Sequence, residues 1–221
     1  MIMEKDCKTI VELKHLSKAY GERKLFQDFN LTVKEGEMIC IAGPSGSGKS
    51  TILNMIGMFE KPDQGEIYFK GEILPTPSTK AGRKIMHDHI FYLFQNFALV
   101  EDESIDYNLE IPLMDTKITK KAKRQMKKKA LAKVGLSASL KEKIFHLSGG
   151  EQQRAAIARG YLREFDLILA DEPTGSLDEK NRDEVIKLLK GFQQEGKTVI
   201  IVSHDPVVME SCERIIKIQP I

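Results

Sequence analysis

The sequence predicts an α/β fold: a mostly parallel sheet core interrupted by a mainly helical insertion. Three observations predict it. Leu167-Ile168-Leu169-Ala170 and Thr198-Val199-Ile200-Ile201-Val202 are continuous apolar runs, suited to central parallel strands buried on both faces. Met38 to Met58 reads as a short apolar run, a glycine-rich loop and then helical spacing. From Ser104 to about Leu162 the pattern is mostly helical, with Pro112 and Gly135 as breaks.

The remaining elements follow in order. Thr9 to Leu13 and Phe29 to Val33 alternate apolar and polar residues, as half-buried strands do. Glu35-Gly36-Glu37 turns the chain into the apolar strand Met38 to Ala42, and Ser50 to Met58 forms the helix after the loop. Gly65 to Phe69 reads as a strand and Pro75-Thr76-Pro77-Ser78 as a loop. Ile90 to Phe94 is an apolar strand closed by Gln95. Lys180 to Phe192 places Val185, Leu188, Leu189 and Phe192 at helical spacing.

A chain of 221 residues suits one substantial domain with an insertion. Its 41% apolar and 30% charged content is that of a globular protein in water. No run approaches the ~18 apolar residues that cross a bilayer. Met1 to Lys8 lacks the apolar core of a secretory signal, so the expected compartment is the cytosol. Cys7, Cys40 and Cys212 have no metal-ligand spacing, and Cys40 reads as a small buried hydrophobe.

Thirty-four basic against 32 acidic residues leave +2, which gives no argument for nucleic acid. The charge is uneven, however. Lys117, Lys120, Lys121, Lys123, Arg124, Lys127, Lys128, Lys129 and Lys133 crowd one segment in which Ala122, Met126, Ala130 and Val134 recur every four residues. That segment predicts an amphipathic helix with a basic outer face: a solvated surface, or a contact for anionic lipid or an acidic partner.

The chemistry concentrates in two glycine motifs and three strand ends. Gly43-Pro44-Ser45-Gly46-Ser47-Gly48-Lys49-Ser50-Thr51 fits the nucleotide-cradling pattern, in which backbone N–H groups and a helix N-terminus face phosphate. Lys49 would reach the outer phosphates, and the Ser50 hydroxyl would ligate Mg²⁺. Leu147-Ser148-Gly149-Gly150-Glu151 is a second phosphate motif, and two such cradles suggest nucleotide shared between two copies. Asp171 and Glu172 close a buried strand and would face a ligand crevice, Asp171 in a metal shell and Glu172 as general base. His204 follows another buried strand onto the same edge, and Gln95 ends a third, where its amide could meet Mg²⁺ or the attacking water. His87 and His89 form an H-x-H with no third ligand in view, and His15 and His146 read as ordinary residues.

Taken in order, these pieces resemble the nucleotide-binding domain of ATP-binding-cassette (ABC) proteins, over essentially the whole chain. Tyr20 looks like the aromatic that stacks on adenine, Gly43 to Thr51 like the Walker A loop and Gln95 like the Q-loop. Leu147 to Glu151 with Gln152-Gln153-Arg154 looks like the family signature, and Leu167 to Glu172 like Walker B. Ser176-Leu177-Asp178 resembles the D-loop and His204 the switch histidine. The resemblance implies a phosphate-loop ATPase fold with an antiparallel β subdomain. Residues 1–95 and 163–221 would form the catalytic core and 96–162 the helical signature subdomain.

It also implies a head-to-tail homodimer around two ATP molecules. Each would lie between Walker A of one copy and Ser148, Gly149, Gly150 and Glu151 of the other, with Ser176, Leu177 and Asp178 at the interface. Lys49, Glu172 and His204 would be catalytic; Ser50, Gln95 and Asp171 would hold Mg²⁺. The expected partner is a separately encoded membrane permease, which places the chain on the inner face of the membrane. DNA-repair and translation-factor relatives carry coiled coils, zinc modules or paired cassettes, none of which the sequence offers. With the switch histidine near Ile221, a C-terminal regulatory domain of the kind many sugar importers carry is not expected. Gln152-Gln153-Arg154 and Ala170 to Gly175 resemble the branch of lipoprotein release, macrolide export and antimicrobial-peptide export. Phe94 to Val100 with Asp106-Tyr107-Asn108-Leu109 looks most like the bacteriocin or peptide-antibiotic members, although acidic Glu101-Asp102-Glu103 departs from the lipoprotein-release pattern. A cell-division-type ATPase that transmits mechanical work to its permease is a further alternative within this branch, and amino-acid import is a distant one.

Overall fold

The computed structural model describes residues 8–219. The expectations for Cys7, for most of the N-terminal stretch and for the chain end fall outside them.

The chain opens with a long antiparallel hairpin, β1 (Thr9–Tyr20) and β2 (Arg23–Lys34), turned through Gly21 at φ 60°. Thr9 to Leu13 and Phe29 to Val33 are only the inner halves of these strands. The hairpin continues outward because Tyr20 pairs with Arg23 across the turn. β3 (Met38–Ala42) follows, then α1 (Lys49–Ile56), β4 (Gln64–Phe69), β5 (Glu72–Ile73), α2 (Lys80–His89) and β6 (Ile90–Leu93). After α3 (Ile105–Glu110), α4 (Lys120–Lys133) and α5 (Gly149–Ala158), the chain returns through β7 (Leu167–Asp171). It ends with α6 (Glu179–Gln194), β8 (Thr198–Val202), α7 (Pro206–Glu210) and β9 (Arg214–Lys217). Two sheets result: an antiparallel one in the order β2-β1-β4-β5 and a parallel one in the order β6-β7-β8-β3-β9.

The continuous apolar runs have a direct physical reason. Side chains alternate across a strand, so a strand covered on both sides needs apolar residues at every position. Ile168, Ala170, Val199 and Ile201 enter one core, with residues of α3, α4, α5 and α6. Leu167, Leu169, Ile200 and Val202 enter the other, with α1 and the antiparallel sheet. Each fully buried Leu or Ile contributes about 1.5–3 kcal/mol, so both faces of the sheet are strongly fixed. Cys40 is fully buried at the centre of β3.

Several expectations shift. The helix after the glycine loop ends at Ile56, before Met58, which turns at φ 64°. β6 ends at Leu93 and leaves Gln95 two residues beyond it. α2 was not anticipated because Gly82 alone is buried on it, so it has no apolar stripe to announce it; the Thr79 hydroxyl caps it at Gly82 N. β9 is a four-residue edge strand with Ile215 exposed.

The basic helix needs the largest correction. Thr119 caps α4, so Lys117 precedes it, and Val134 is its C-cap. Lys127 is buried, not outward-facing: its Nζ lies 2.9 Å from Asp106 Oδ1 and 2.7 Å from Glu110 Oε2. Lys123 Nζ sits 2.7 Å from Glu110 Oε1. The acidic residues of α3 draw these two amines inward while their alkyl stems cover apolar surface. The two lysines in turn hold the Glu110 carboxyl below the usual carboxylate range, Lys123 foremost. Lys120, Lys121, Arg124, Lys128, Lys129 and Lys133 stay exposed.

Candidate active site

The parallel strands deliver four segments to one edge of the sheet. Leu93 pairs with Ala170, and Val202 pairs with both Asp171 and Ile41, so the chain leaves β6, β7, β8 and β3 at nearly one level. Beyond those ends lie Gln95, Glu172, Ser203–His204 and the Gly43–Gly48 loop. This is the carboxyl-end crevice where open α/β sheets bind ligands.

The glycine loop depends on two residues with positive φ, Gly46 at 75° and Gly48 at 89°. Gly48 is the N-cap of α1 and offers no side-chain cap, so the first N–H groups of the helix have no competitor for an anion. The Ser47 hydroxyl is buried without a hydrogen-bond partner. Lys49 Nζ donates to the carbonyls of Gly43 (2.9 Å) and Pro44 (3.0 Å), folded over its own loop. A cavity of about 240 Å³ beside the loop is lined by Tyr20, Arg23, Leu25, Gly46, Gly48, Lys49, Ser50 and Thr51. Tyr20 is half exposed there, and its hydroxyl bonds the Glu60 carboxylate, which raises the phenol above its ordinary value.

Ser50 and Asp171 come together as the motif reading requires. Ser50 Oγ donates to Asp171 Oδ1 at 2.8 Å, although 121 positions separate them. Burial, with the neighbouring Glu172 charge, holds the Asp171 carboxyl above its usual range against the opposing pull of Ser50 and Lys49. The two oxygens suit a hard cation such as Mg²⁺, which takes one or two protein oxygens beside water and phosphate.

Glu172 sits in the left-handed region at φ 43°, uncommon for a residue with a Cβ. Its N–H donates to Val202 O at 2.9 Å, which ties that conformation to the end of β8. Its carboxylate meets His204 Nδ1 at 2.8 Å and, more loosely, Ser203 Oγ at 3.4 Å. Glu172 is mostly buried while His204 is 75% exposed, so the pair reaches from the sheet into open space.

The second glycine motif is placed elsewhere. Ser148 is the N-cap of α5 and forms a reciprocal capping box with Glu151: Glu151 Oε2 accepts from Ser148 N at 2.9 Å and from Ser148 Oγ at 2.7 Å. These bonds keep the Glu151 carboxyl ionised below its usual range. The helix therefore starts at Gly149. Ser148 and Gly149 are exposed and do not line the cavity beside the first loop. Gln95 is likewise exposed and outside that cavity.

Gly150 has a reason that the motif reading missed. It is buried, and a Cβ there would collide with the Asn181 amide of the same chain. Asn181 bonds both oxygens of Asp178, at 2.9 and 3.0 Å, and accepts from Arg154 Nη1 at 2.7 Å. Arg154 also reaches Glu184 at 2.6 Å. Thus Ser176, Leu177 and Asp178 lead into α6 directly beside the signature helix, and Leu177 is the nearest side chain to Gly149. Neither Asn181 nor Glu184 belongs to a short motif. Only the cap position of Asp178, three residues before Asn181, gives a sequence-level hint.

Two further residues went unanticipated. Arg159, at the C-cap of α5, donates to Ala98 O at 2.6 Å and to Asn108 Oδ1 at 2.7 Å. Asn108 is buried and closes on Val100 through N–H and carbonyl together. The segment after Gln95, with Phe97 and Ala98 both at positive φ, is thereby pinned to the far end of the signature helix. His87 and His89 are engaged by Asp88 and Asp166.

A parallel α/β sheet with a glycine cradle, a Ser–Asp oxygen pair and a carboxylate–histidine pair on one edge defines a phosphate-loop ATPase. The comparisons narrow the class. The family model described as "ABC transporter" matches residues 26–175. A macrolide export ATP-binding/permease protein, MacB 2 of Yersinia pestis, is 38% identical over 216 residues, 96% of this chain and 32% of its own length. MacB of Escherichia coli is 37% identical over 96% of this chain and 33% of its own. The chain thus spans about a third of these relatives. Among solved structures, a dimeric post-hydrolysis ATP-binding cassette, MJ0796, bound to ADP and Pi, superposes with TM-score 0.86 and 38% identity, covering 95% of this chain and 94% of that one. The chain belongs to the ABC transporter family and is an ATP-binding, ATP-hydrolysing domain of that family. No helix among the described residues is long and apolar enough to cross a membrane.

Proposed function

We propose that the chain works as the ATP-hydrolysing half of a membrane exporter, as a homodimer with two ATP molecules in its interface. The observation that carries this reading is the division of the site. The Ser50–Asp171 and Glu172–His204 pairs share one sheet edge, while the exposed signature N-terminus lies outside the adjoining cavity. A second copy would supply Ser148 and Gly149. The dimeric state of the MJ0796 cassette supports this arrangement.

In that reading residues 1–95 and 163–221 act as the catalytic core and 96–162 as the helical arm. The Gly43–Thr51 loop and Lys49 bind the phosphates, and Tyr20 takes the adenine. Lys49 must leave the Gly43 and Pro44 carbonyls to reach phosphate. Ser50 and Asp171 would hold Mg²⁺, with Gln95 as a further ligand, and the ion would supply charge neutralisation at the phosphates. Glu172 accepts a proton from the water that attacks the γ-phosphorus as the bond to ADP breaks, and His204 orients that carboxylate.

The chain is proposed to drive a permease carried on another polypeptide, from the cytoplasmic face of the membrane. The Phe94–Val100 and Asp106–Leu109 segments support an antimicrobial peptide or bacteriocin as cargo. The names of the MacB relatives favour a second reading, macrolide export. Lipoprotein release remains the third member of the same branch. Phosphate release from ATP by the purified chain, measured with and without the permease and against Lys49→Ala, tests the motor. Drug and bacteriocin susceptibility of cells lacking the chain separates the cargoes. Absence of Mg²⁺-dependent ATP turnover in both preparations would refute the proposal.

A further inference from the structure

The hairpin that carries Tyr20 also brings a cation to the glycine loop. Arg23 pairs with Tyr20 across the β1–β2 turn, so both residues stand at the tip of the hairpin over the loop. Arg23 Nη2 donates to Gly46 O at 2.9 Å. A Cβ at Gly46 would lie 2.7 Å from that nitrogen, so the glycine makes room for the guanidinium. Just below, Leu25 and Phe26 of the same strand press on Gly48, at 3.2 and 3.1 Å from where its Cβ would be, which fixes the distance between hairpin and loop.

The electrostatics of this contact point outward. Among the described residues, the side chain's one hydrogen bond goes to a neutral carbonyl. Glu60, the carboxylate beside Tyr20, is taken by the Tyr20 hydroxyl and by Lys18 at 3.2 Å. A guanidinium has five N–H donors in a planar fork, and one of them anchors it here. The others line the 240 Å³ cavity together with Lys49 and the uncapped start of α1. The cavity therefore carries two cations, a helix N-terminus and no carboxylate in its lining.

We propose that Arg23 is a nucleotide-contacting residue: anchored on the Gly46 carbonyl, its guanidinium supplies a second cation, beside Lys49, to the phosphate chain of ATP. The inference rests on the ATP-binding reading above and adds a determinant that lies outside the motifs. It also gives Gly46 a local role, because the loop carbonyl that holds Arg23 is its own.

Calorimetric titration of the full chain with Mg-ATP tests it, using Arg23→Gln, Arg23→Ala and Lys49→Ala alongside the unsubstituted protein. Glutamine keeps the stem and a polar amide but loses the guanidinium charge, so with the nucleotide-free melting temperature as control it separates a nucleotide contact from mere support of the loop. Arg23→Gln and Arg23→Ala should both weaken ATP about tenfold, and the affinity of either should depend less on salt than that of the unsubstituted chain. Melting temperatures without nucleotide should match, since the side chain is exposed on a strand end. If Arg23→Gln binds ATP as tightly as the unsubstituted chain, the charge does not act on nucleotide and the proposal is overturned. If the unsubstituted chain binds no ATP, or Lys49→Ala binds equally well, the underlying ATP reading fails instead.

Discussion

His204 Nδ1 stands 2.8 Å from Glu172 Oε1, and Glu172 reaches that position from a left-handed backbone at φ 43°. A backbone of this kind costs about 1–3 kcal/mol and persists where its surroundings over-determine it. Here the Glu172 N–H on Val202 O and the His204 contact do so. The carboxylate is held by its neighbours and not by rotamer preference alone. Glu172→Gln keeps the shape and loses the base. Phosphate release should fall at least ~100-fold, while an ATP-bound dimer accumulates on gel filtration. A variant that stays monomeric with ATP, even beside its permease, counts against the shared-site reading.

Asp171 links the metal to pH. Burial holds its carboxyl above the ordinary value of 3.8, and a protonated acid is a poor metal ligand. Metal binding must therefore release a proton, and Mg²⁺ affinity should decline as pH falls through the raised value, earlier than for an exposed aspartate. The stability sign is the reverse. The folded state binds this proton more tightly than the unfolded chain, so the group's contribution is present at low pH and lost as pH rises through the folded value. At neutral pH the ionised carboxylate is a cost to the metal-free fold. Asp171→Asn should raise the metal-free melting temperature and abolish Mg²⁺-dependent turnover. A metal-free Tm that falls would reverse this assignment.

The two glycines of the signature should behave differently. Gly150→Ala drives a methyl into the Asn181 amide and should cost about 1–3 kcal/mol by overpacking. Gly149 faces open space with Leu177 at 3.9 Å, and Gly149→Ala should leave the melting temperature of the nucleotide-free chain within about 2 °C. Differential scanning fluorimetry of both variants decides it. Equal destabilisation would mean that Asn181 gives way.

This contrast marks what the sequence could reveal. Met38–Ala42 and Thr198–Val202 were legible to the residue because a strand buried on both faces is apolar at nearly every position, Thr198 being admitted where its hydroxyl accepts from Gly36 N. Lys49, Ser50, Asp171, Glu172 and His204 were legible because each sits at a loop or strand end fixed by such a run. Asn181, Arg154 and Arg159 were not, since a polar residue in a helix looks the same whether it meets solvent or a buried partner. Lys127 was misread for the same reason.

Arg159 is such a partner. It lies mostly in the interior, where desolvation pushes its guanidinium down to about 10, and it supports Ala98 O and Asn108. Arg159→Ala removes the donor shared by Ala98 O, Asn108 O and Asn108 Oδ1; Asn108 Oδ1 keeps the Val100 N–H and Ala98 is exposed to water, so the cost should be about 1–3 kcal/mol. The loosened segment lies between Gln95 and Val100, so its amides should exchange faster while those of α1 do not. Uniform exchange across the domain would show a general loss of stability in place of a local release.

Lys127 and Lys128 are neighbours with opposite fates. Lys127 is 4% exposed at its side chain and meets two carboxylates, whereas Lys128 faces water. Asp106 and Glu110 are themselves 52% and 33% exposed, so water moderates the penalty of losing the amine. Lys127→Ala should therefore cost about 2 kcal/mol, below the 3–5 kcal/mol typical of a fully buried pair. Lys127→Met should recover part of that by restoring the apolar stem against α3. Lys128→Ala should change stability by less than about 0.5 kcal/mol. Urea titration of the three variants measures the order. If Lys128→Ala is as costly as Lys127→Ala, the inward turn of Lys127 is not what holds α4 to α3.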